Sequence, residues 1–512
     1  MIRSKLKPMT LLPTLFLLIT SLATYAQEDP LSGLDDYVKK SMRQWQVPGV
    51  AIAIVKDDTV ILAKGYGTRT VGENQPVDEK TLFAIGSNTK LFTASALAVL
   101  VGEGKIDWDD RLATRLPGFQ VGSDLVTTHG TLRDALSHRT GVQNIGLTWR
   151  LNPSRSRQAL LKRMRYLPSK QDFRSGFHYS NDMFLVAGEI IPEVSGVSWD
   201  DFIKKRFFKP LGMKNSNTSI KEFGRYKNIA TPHMLSNNKT VTVPYFNVDP
   251  VAPAGSINSS AADMAQWLRF QLNNGKVGDQ VVVQEEALNE TRRLHNSLSV
   301  DIEALAKEFG LGCRFNGYGL GVAVCETGEH KVYRHGGRID GMLSSLLFIP
   351  ELKLGVVVLS NIGTLYAHSL RSWILDRYIG AEYTDWSDSF LKSQNTSKQA
   401  GKENIHRLKE NATENTEPSL PLASYAGTYT NELAGNLIIT VEDNRLSYRL
   451  AETGRGSMSH LHFDTFIARL TEPLLEAEMG EKAAQFHLNI DGSVKSIVMS
   501  FYDTPLTYLR KR

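Results

Sequence analysis

Residues 87–102 read Ser87-Asn88-Thr89-Lys90-Leu91-Phe92-Thr93-Ala94-Ser95-Ala96-Leu97-Ala98-Val99-Leu100-Val101-Gly102. The stretch is rich in Leu, Ala and Val and lacks Pro. It predicts a buried helix, stopped by Gly102 and Gly104. Its opening places Ser87 and Lys90 one turn apart on the same face. A buried Lys gives up its proton more readily, and as a neutral amine it can take the Ser proton, turning Ser87 into a nucleophile. The spacing recurs at Ser4/Lys7, Ser236/Lys239 and Ser389/Lys392, but only Ser87 opens a long apolar helix. Taken alone, the pattern also fits a helix-start Ser beside a surface Lys.

Working outward, Val50–Val55 and Val60–Lys64 are β-type runs split by Lys56-Asp57-Asp58-Thr59, a hairpin signal. Helices are predicted over Asn181–Ile191, stopping at Pro192, over Trp199–Phe208 and over Ala261–Leu272, the last opened by Ser259-Ser260. Short β-type runs follow at Tyr318–Val324, Lys331–His335, Leu343–Ile349 and Leu354–Leu359, then a helix at Tyr366–Tyr378. The first hairpin and these later strands bracket a helical middle, which predicts an α+β fold, an antiparallel sheet flanked by helices. Residues 386–420 read as a polar linker with some helical content. Seven short strands then predict a small all-β barrel or sandwich: Gly427–Tyr429, Leu437–Val441, Leu446–Leu450, Leu461–Leu470, Ala484–Ile490, Ser496–Phe501 and Leu506–Leu509.

Two further motifs carry chemistry. Tyr179-Ser180-Asn181 precedes an apolar helix, so its loop is pinned. A Tyr phenol near a cationic Lys can act as acid or base, and the Asn amide can orient Lys90 and a substrate carbonyl. The same pattern at Tyr226, Tyr245 and Tyr429 has no such helix behind it, and a core Tyr with a capping Asn fits too. His335-Gly336-Gly337 ends a β-run before Arg338. Its glycines leave room at a strand edge, and the following N–H can help hold an oxyanion; a plain strand-end turn is the other reading.

Taken in order, Ser-x-x-Lys, Tyr-x-Asn and His-x-Gly resemble the penicillin-recognising serine hydrolases, in the class C β-lactamase, D-alanyl-D-alanine carboxypeptidase and esterase branch. The neighbourhoods agree over about residues 31–380. They include Phe83-Ala84-Ile85-Gly86 before Ser87, Ser137-His138-Arg139-Thr140-Gly141-Val142, Pro253-Ala254-Gly255-Ser256 and Gly317-Tyr318-Gly319-Leu320-Gly321. The resemblance implies an α/β sandwich with a helical lobe. It implies Ser87 as the acylated nucleophile, Lys90 and Tyr179 sharing acid/base work, and Asn181, His335, Gly336, Gly337 and Arg338 binding substrate. The N–H groups of Ser87 and Arg338 would form the oxyanion hole, and no cofactor or metal is implied. Which of Lys90 and Tyr179 is the principal base stays open. The tail resembles the lipocalin-like β-domain appended to many of these hydrolases. One departure matters: β-lactamases and carboxypeptidases usually carry Lys-Thr-Gly where this chain has His335-Gly336-Gly337. That weakens the case for β-lactam hydrolysis and favours a peptidase, amidase or esterase acting on small amides, esters or peptides.

The expected organisation is a signal peptide at 1–26, a hydrolase domain at 27–385, the linker at 386–420 and the β-domain at 421–512. Arg3, Lys5 and Lys7 precede a short apolar stretch and a small-residue cleavage pattern, which predicts a periplasmic or secreted protein with no membrane span after cleavage. Of the formal net charge of +5, three positives lie in that segment, and no basic stripe interleaved with aromatics suggests nucleic acid. Cys313 and Cys325 could be bridged or remain two thiols. The absence of Gly-x-Ser-x-Gly and of His-Glu-x-x-His argues against an α/β-hydrolase or a zinc hydrolase. A binding or sensor protein that merely keeps the fold is the alternative to an enzyme.

Overall fold

Three strands, Gly49–Lys56, Met342–Ile349 and Leu354–Ser360, are buried at almost every position. Such strands need cover on both faces, and alternate residues divide between two cores. Val50, Ile52, Ile54, Val356 and Val358 pack with Leu34, Val38, Trp45, Leu370 and Trp373. Ala51, Ala53, Val55, Val357 and Leu359 pack with Trp267, Leu268, Phe92 and Leu97. The period-2 alternation of a strand thus becomes a sheet between two helical layers. The computed structural model describes residues 29–512 apart from 145, 151, 153, 154, 299–312, 328, 474, 475, 477–479, 502, 503 and 512. The expected signal at 1–26 lies outside the described residues.

The sheet has eight antiparallel strands. Their order is Thr59–Gly67, Gly49–Lys56, Leu354–Ser360, Met342–Ile349, His330–Ile339, Ala323–Thr327, Cys313–Tyr318 and Asn296–Ser297. The first hairpin therefore lies beside the last strand, with Val50 opposite Ser360 and Lys56 opposite Leu354. Its turn residues Asp57 and Asp58 have φ of 49° and 60°, the handedness that a two-residue hairpin needs. One helical layer is Leu34–Trp45 with Tyr366–Ile379; the other includes Ala261–Leu272 and Thr89–Gly102. Every residue from Thr89 to Leu100 is buried, which is why that helix is apolar on all sides.

Three boundaries differ from expectation. Tyr318–Val324 is not one strand: Tyr318 ends one and Ala323 starts the next. Gly321 turns between them with φ 82°, so close to the Ser87 helix that a Cβ there would sit 2.8 Å from the Lys90 carbonyl oxygen. The Asn181 helix runs through Pro192 to Ser195. A proline ring strikes the carbonyl four residues back, here that of Gly188, yet the helix continues for three residues past Pro192; the absent side chain of Gly188 instead admits Pro253, which a Cβ there would meet at 2.3 Å. The C-terminal unit is a closed barrel of eight strands, not seven. Gly454–His462 and Thr465–Leu470 are separate strands, because Phe463 turns the chain at φ 45°. Between the two units, Trp386–Glu410 is a helix that packs against Tyr366–Ile379. Among the described residues, no helix is long and apolar enough to cross a membrane.

Candidate active site

Ser87 sits in a tight turn, Gly86–Asn88, that feeds the helix Thr89–Gly102. Gly86 has φ 51°, and a Cβ there would lie 2.8 Å from the Arg338 backbone nitrogen. The turn is thus pressed against the His330–Ile339 strand. Polar threads hold it there. The Ser344 hydroxyl donates to the Ile85 carbonyl at 2.7 Å, and Asn88 Nδ2 donates to Ser344 Oγ at 2.7 Å. Thr93 Oγ1 donates to the Pro253 carbonyl at 2.7 Å, tying the helix to the segment that carries Ala254.

Around Ser87 the predicted residues converge. Lys90 Nζ lies 3.1 Å from Ser87 Oγ, 2.7 Å from Asn181 Oδ1 and 2.8 Å from the Ala254 carbonyl oxygen. Tyr179 OH donates to Ser87 Oγ at 2.8 Å. Lys90 is fully buried, and burial holds its pKa well below that of a free lysine. Its neighbours include the rings of Tyr179 and Phe184, at 4.8 and 5.2 Å, and among the described residues no carboxylate hydrogen-bonds it. A neutral amine has two N–H groups and one lone pair. Two of its three partners, Asn181 Oδ1 and the Ala254 carbonyl, can only accept. The lone pair then faces Ser87, whose hydroxyl can donate to it while accepting from Tyr179. Burial pushes the Tyr179 phenol above its ordinary pKa, so it stays protonated. Ser87, Tyr179 and Asn181 are each part-exposed, whereas Lys90 lies beneath them.

Tyr179 and Asn181 flank Ser180, whose hydroxyl accepts the Met183 N–H and caps the helix. The Asn181 N–H donates to Asn144 Oδ1 at 3.2 Å. His138 lies behind Tyr179, ring centroids 4.4 Å apart, and also meets Phe177, Phe184 and Tyr318. It adopts φ 58°, unusual for a histidine, and its Nδ1 accepts the Ser180 N–H at 3.1 Å.

His335 stands apart from this cluster. Its Nδ1 lies 2.6 Å from the Gly336 carbonyl oxygen, so that nitrogen donates; its Nε2 accepts from Tyr318 OH at 2.8 Å. Burial lowers its pKa to about 3, so it is neutral. It supplies no fixed cation. Gly336 and Gly337 are required by packing: a Cβ on Gly336 would lie 2.8 Å from the His368 ring, and one on Gly337 1.8 Å from the Ile85 oxygen. The Arg338 side chain is exposed.

Several contributors had no role in the sequence reading. Tyr318, His138 and the Ala254 carbonyl lie inside motifs whose composition was legible but whose partners were not. Ser344 and Asn144 carried no signal, because a single Ser in a strand or Asn in a loop is common. Cys313 and Cys325 are both buried free thiols on neighbouring strands.

The Beta-lactamase family model matches residues 34–378, and a model described as a domain of unknown function (DUF3471) matches 411–509. Unguisins hydrolase ungD of Aspergillus violaceofuscus is 25% identical over 81% of this chain and 78% of its own. Protein flp of Staphylococcus aureus strain MW2 is 26% identical over 67% of this chain and 65% of its own. Among solved structures, the octameric penicillin-binding protein homologue from Pyrococcus abyssi has a TM-score of 0.60 at 22% identity, covering 93% of this chain and 99% of that one. D-amino acid amidase from Ochrobactrum anthropi SV3 has 0.54 at 20% identity, covering 68% and 97%. The chain therefore belongs to the Beta-lactamase family of hydrolases, through the domain that carries Ser87, and it has a closed eight-stranded barrel as a second unit.

Proposed function

We propose that this chain is a serine hydrolase that works through an acyl-enzyme on Ser87, with small amides or peptides as its first substrate class and esters as its second. The carrying observation is the double contact of Ser87 Oγ, with Lys90 Nζ at 3.1 Å and Tyr179 OH at 2.8 Å. Ser87 Oγ attacks the carbonyl carbon while its proton passes to the neutral Lys90 amine. The developing oxyanion takes hydrogen bonds from the N–H groups of Ser87 and Arg338. As the tetrahedral species collapses, the leaving nitrogen takes a proton from Tyr179 OH, and the Lys90 ammonium returns one to the phenolate without passing through Ser87 Oγ, which is now an acyl ester oxygen. Water then enters, gives up a proton to the same pair and attacks the acyl carbon; as the ester bond breaks, that proton returns to Ser87 Oγ and the acid leaves. Asn181 holds Lys90 through its Oδ1 and is itself part-exposed.

The neutral, internally bonded His335 supports the choice of substrate. A substrate carboxylate would find a neutral imidazole rather than a Lys at position 335, with the Arg338 guanidinium exposed beyond the two glycines, which argues against β-lactams as the main substrate. The hydrolase and amidase names among the relatives and structural neighbours support amide chemistry. Signal cleavage and export to the periplasm or medium belong to the same reading.

Labelling the mature protein with a fluorophosphonate probe and mapping the adduct tests the proposal. One adduct on Ser87, absent from Ser87→Ala, is expected. Folded wild-type protein that neither labels nor turns over amides or esters overturns the proposal and leaves a binding protein.

A further inference from the structure

We infer that His138 is a positioning residue for Tyr179: its backbone carbonyl and its ring nitrogen take the N–H groups of the residues on either side of Tyr179, and its ring backs the phenol that meets Ser87. The inference deepens the proposed function and rests on its assignment of proton transfer to Tyr179.

Tyr179 lies outside any regular element; the helix Asn181–Ser195 begins two residues later. A chain with no ladder of its own must find its hydrogen-bond partners elsewhere. On one side of Tyr179, the His178 N–H donates to the His138 carbonyl oxygen at 2.7 Å. On the other, the Ser180 N–H donates to His138 Nδ1 at 3.1 Å. Both flanking N–H groups thus end on one residue. The His138 ring also packs on the Tyr179 ring, centroids 4.4 Å apart. Gripped before and behind and backed by a ring, Tyr179 holds its hydroxyl 2.8 Å from Ser87 Oγ. The grip is itself anchored. Asn296 Nδ2 donates to the carbonyls of Ser137, His138 and Gly176 at 3.0, 3.4 and 3.2 Å. The two segments stay paired farther along, where the Arg174 N–H donates to the Arg139 carbonyl and the Lys170 N–H to that of Gly141.

His138 occupies this place at two costs. Its φ of 58° lies where residues other than glycine are uncommon. Burial keeps the ring neutral, and since Nδ1 accepts, the proton sits on Nε2. That Nε2 is buried and has no hydrogen-bond partner among the described residues. Phe177, Phe184 and Tyr318 surround the ring instead, with centroids 5.4, 5.1 and 4.9 Å away. Stability alone would be better served by a glycine at this φ, or by an apolar side chain in this aromatic pocket. Neither would offer an acceptor where Nδ1 stands. Strain and an orphaned donor held in place beside a reacting group mark a residue kept for geometry.

The test uses the full-length protein and two substrates with one acyl group, p-nitrophenyl acetate and acetyl p-nitroanilide. The anilide nitrogen needs the Tyr179 proton to leave; p-nitrophenolate does not. His138→Gly deletes the side chain at a φ that glycine adopts freely. His138→Asn tolerates the same φ and places Oδ1 where Nδ1 was. His138→Gly should lower the anilide-to-ester ratio at least about fivefold, chiefly through kcat, because a misplaced proton donor loses rate steeply. His138→Asn should bring the ratio back to within about twofold of wild type. In a Tyr179→Phe background, His138→Gly should cost the anilide no more than about a further twofold, since the hydroxyl it positions is gone. Should His138→Gly not fold, His138→Gln replaces it, its amide lying one carbon too far out to accept from Ser180. The inference is overturned if the folded variant slows both substrates alike, as a merely structural residue would, or if its effect multiplies with that of Tyr179→Phe. Wild type that turns over neither substrate and takes no fluorophosphonate overturns the Ser87 proposal itself, a distinct result.

Discussion

Removing one hydroxyl separates the roles of Lys90 and Tyr179. Tyr179→Phe keeps the ring that packs on His138 and lies 4.8 Å from Lys90 Nζ, and deletes only the O–H that donates to Ser87 Oγ at 2.8 Å. If Lys90 is the base, the phenol contributes a hydrogen bond during acylation and a proton at leaving-group departure. The bond alone is worth about 0.5–1.5 kcal/mol, or roughly 2- to 13-fold in rate. Proton delivery to a poor leaving group is worth roughly 10²–10⁴-fold. The effect should therefore depend on the leaving group. Acylation by a p-nitrophenyl ester, whose phenolate leaves without a proton, should slow only by about tenfold in Tyr179→Phe, whereas anilide hydrolysis should fall by roughly 10²-fold or more. Lys90→Met should cost both substrates roughly 10²–10⁴-fold. In wild type the acylation rate should rise with pH through the depressed Lys90 pKa and level off before that of free lysine; Lys90→Met should lose this limb. Burst-phase stopped-flow measurement of nitrophenolate gives the acylation rates. If Tyr179→Phe abolishes ester acylation as completely as Lys90→Met, the phenol is the base and the assignment fails.

Gly337→Ala should cut kcat by roughly 10²–10³-fold, the value of one oxyanion donor, because its Cβ meets the Ile85 oxygen and pushes the Arg338 strand off the Ser87 turn; a loss under threefold contradicts that. His138, His335 and His368 are buried with pKa values lowered first by burial. Below about pH 6.5 the unfolded chain binds protons that these groups refuse in the fold, so stability falls as pH drops through that window. Asp263 and Asp376, raised to about 6 by burial, oppose this. His368→Gln should flatten the acid limb of stability against pH by roughly 1 kcal/mol per pH unit, measured by urea unfolding, and an unchanged slope refutes the assignment. Cys325 is the more acidic thiol because Cys313 donates to it, with the Arg334 and Arg371 charges nearby. Oxidised glutathione should join the two thiols in one intramolecular bridge, with loss of two hydrogens by intact mass; two thiols persisting after exhaustive oxidation contradict their adjacency.

Local chemistry was legible where it repeats along the chain. The hairpin around Asp57-Asp58, the all-apolar helix after Ser87 and the alternation of the late strands follow from short-range sterics and hydrophobic period, which a sequence displays directly. Ser-x-x-Lys is of this kind, because one helical turn sets its geometry. Boundaries failed where a distant contact decided them. Gly321 breaks a β-type run because the Lys90 backbone lies against it. Pro192 stays inside a helix that packing holds for three further residues, where composition marks a stop. Phe463 turns a chain whose composition reads as one strand. The larger gap lies in partners far apart in sequence. That Asn181 and the Ala254 carbonyl leave the Lys90 lone pair to Ser87, that Tyr318 holds His335, and that Arg155 and Arg163 grip a barrel tip about 270 residues away are consequences of packing. The sequence alone determined which residue types could perform acyl transfer. Tertiary structure decided which atoms face one another and which protons they hold, because burial and hydrogen-bond partners, not residue identity, set the pKa of an amine or an imidazole.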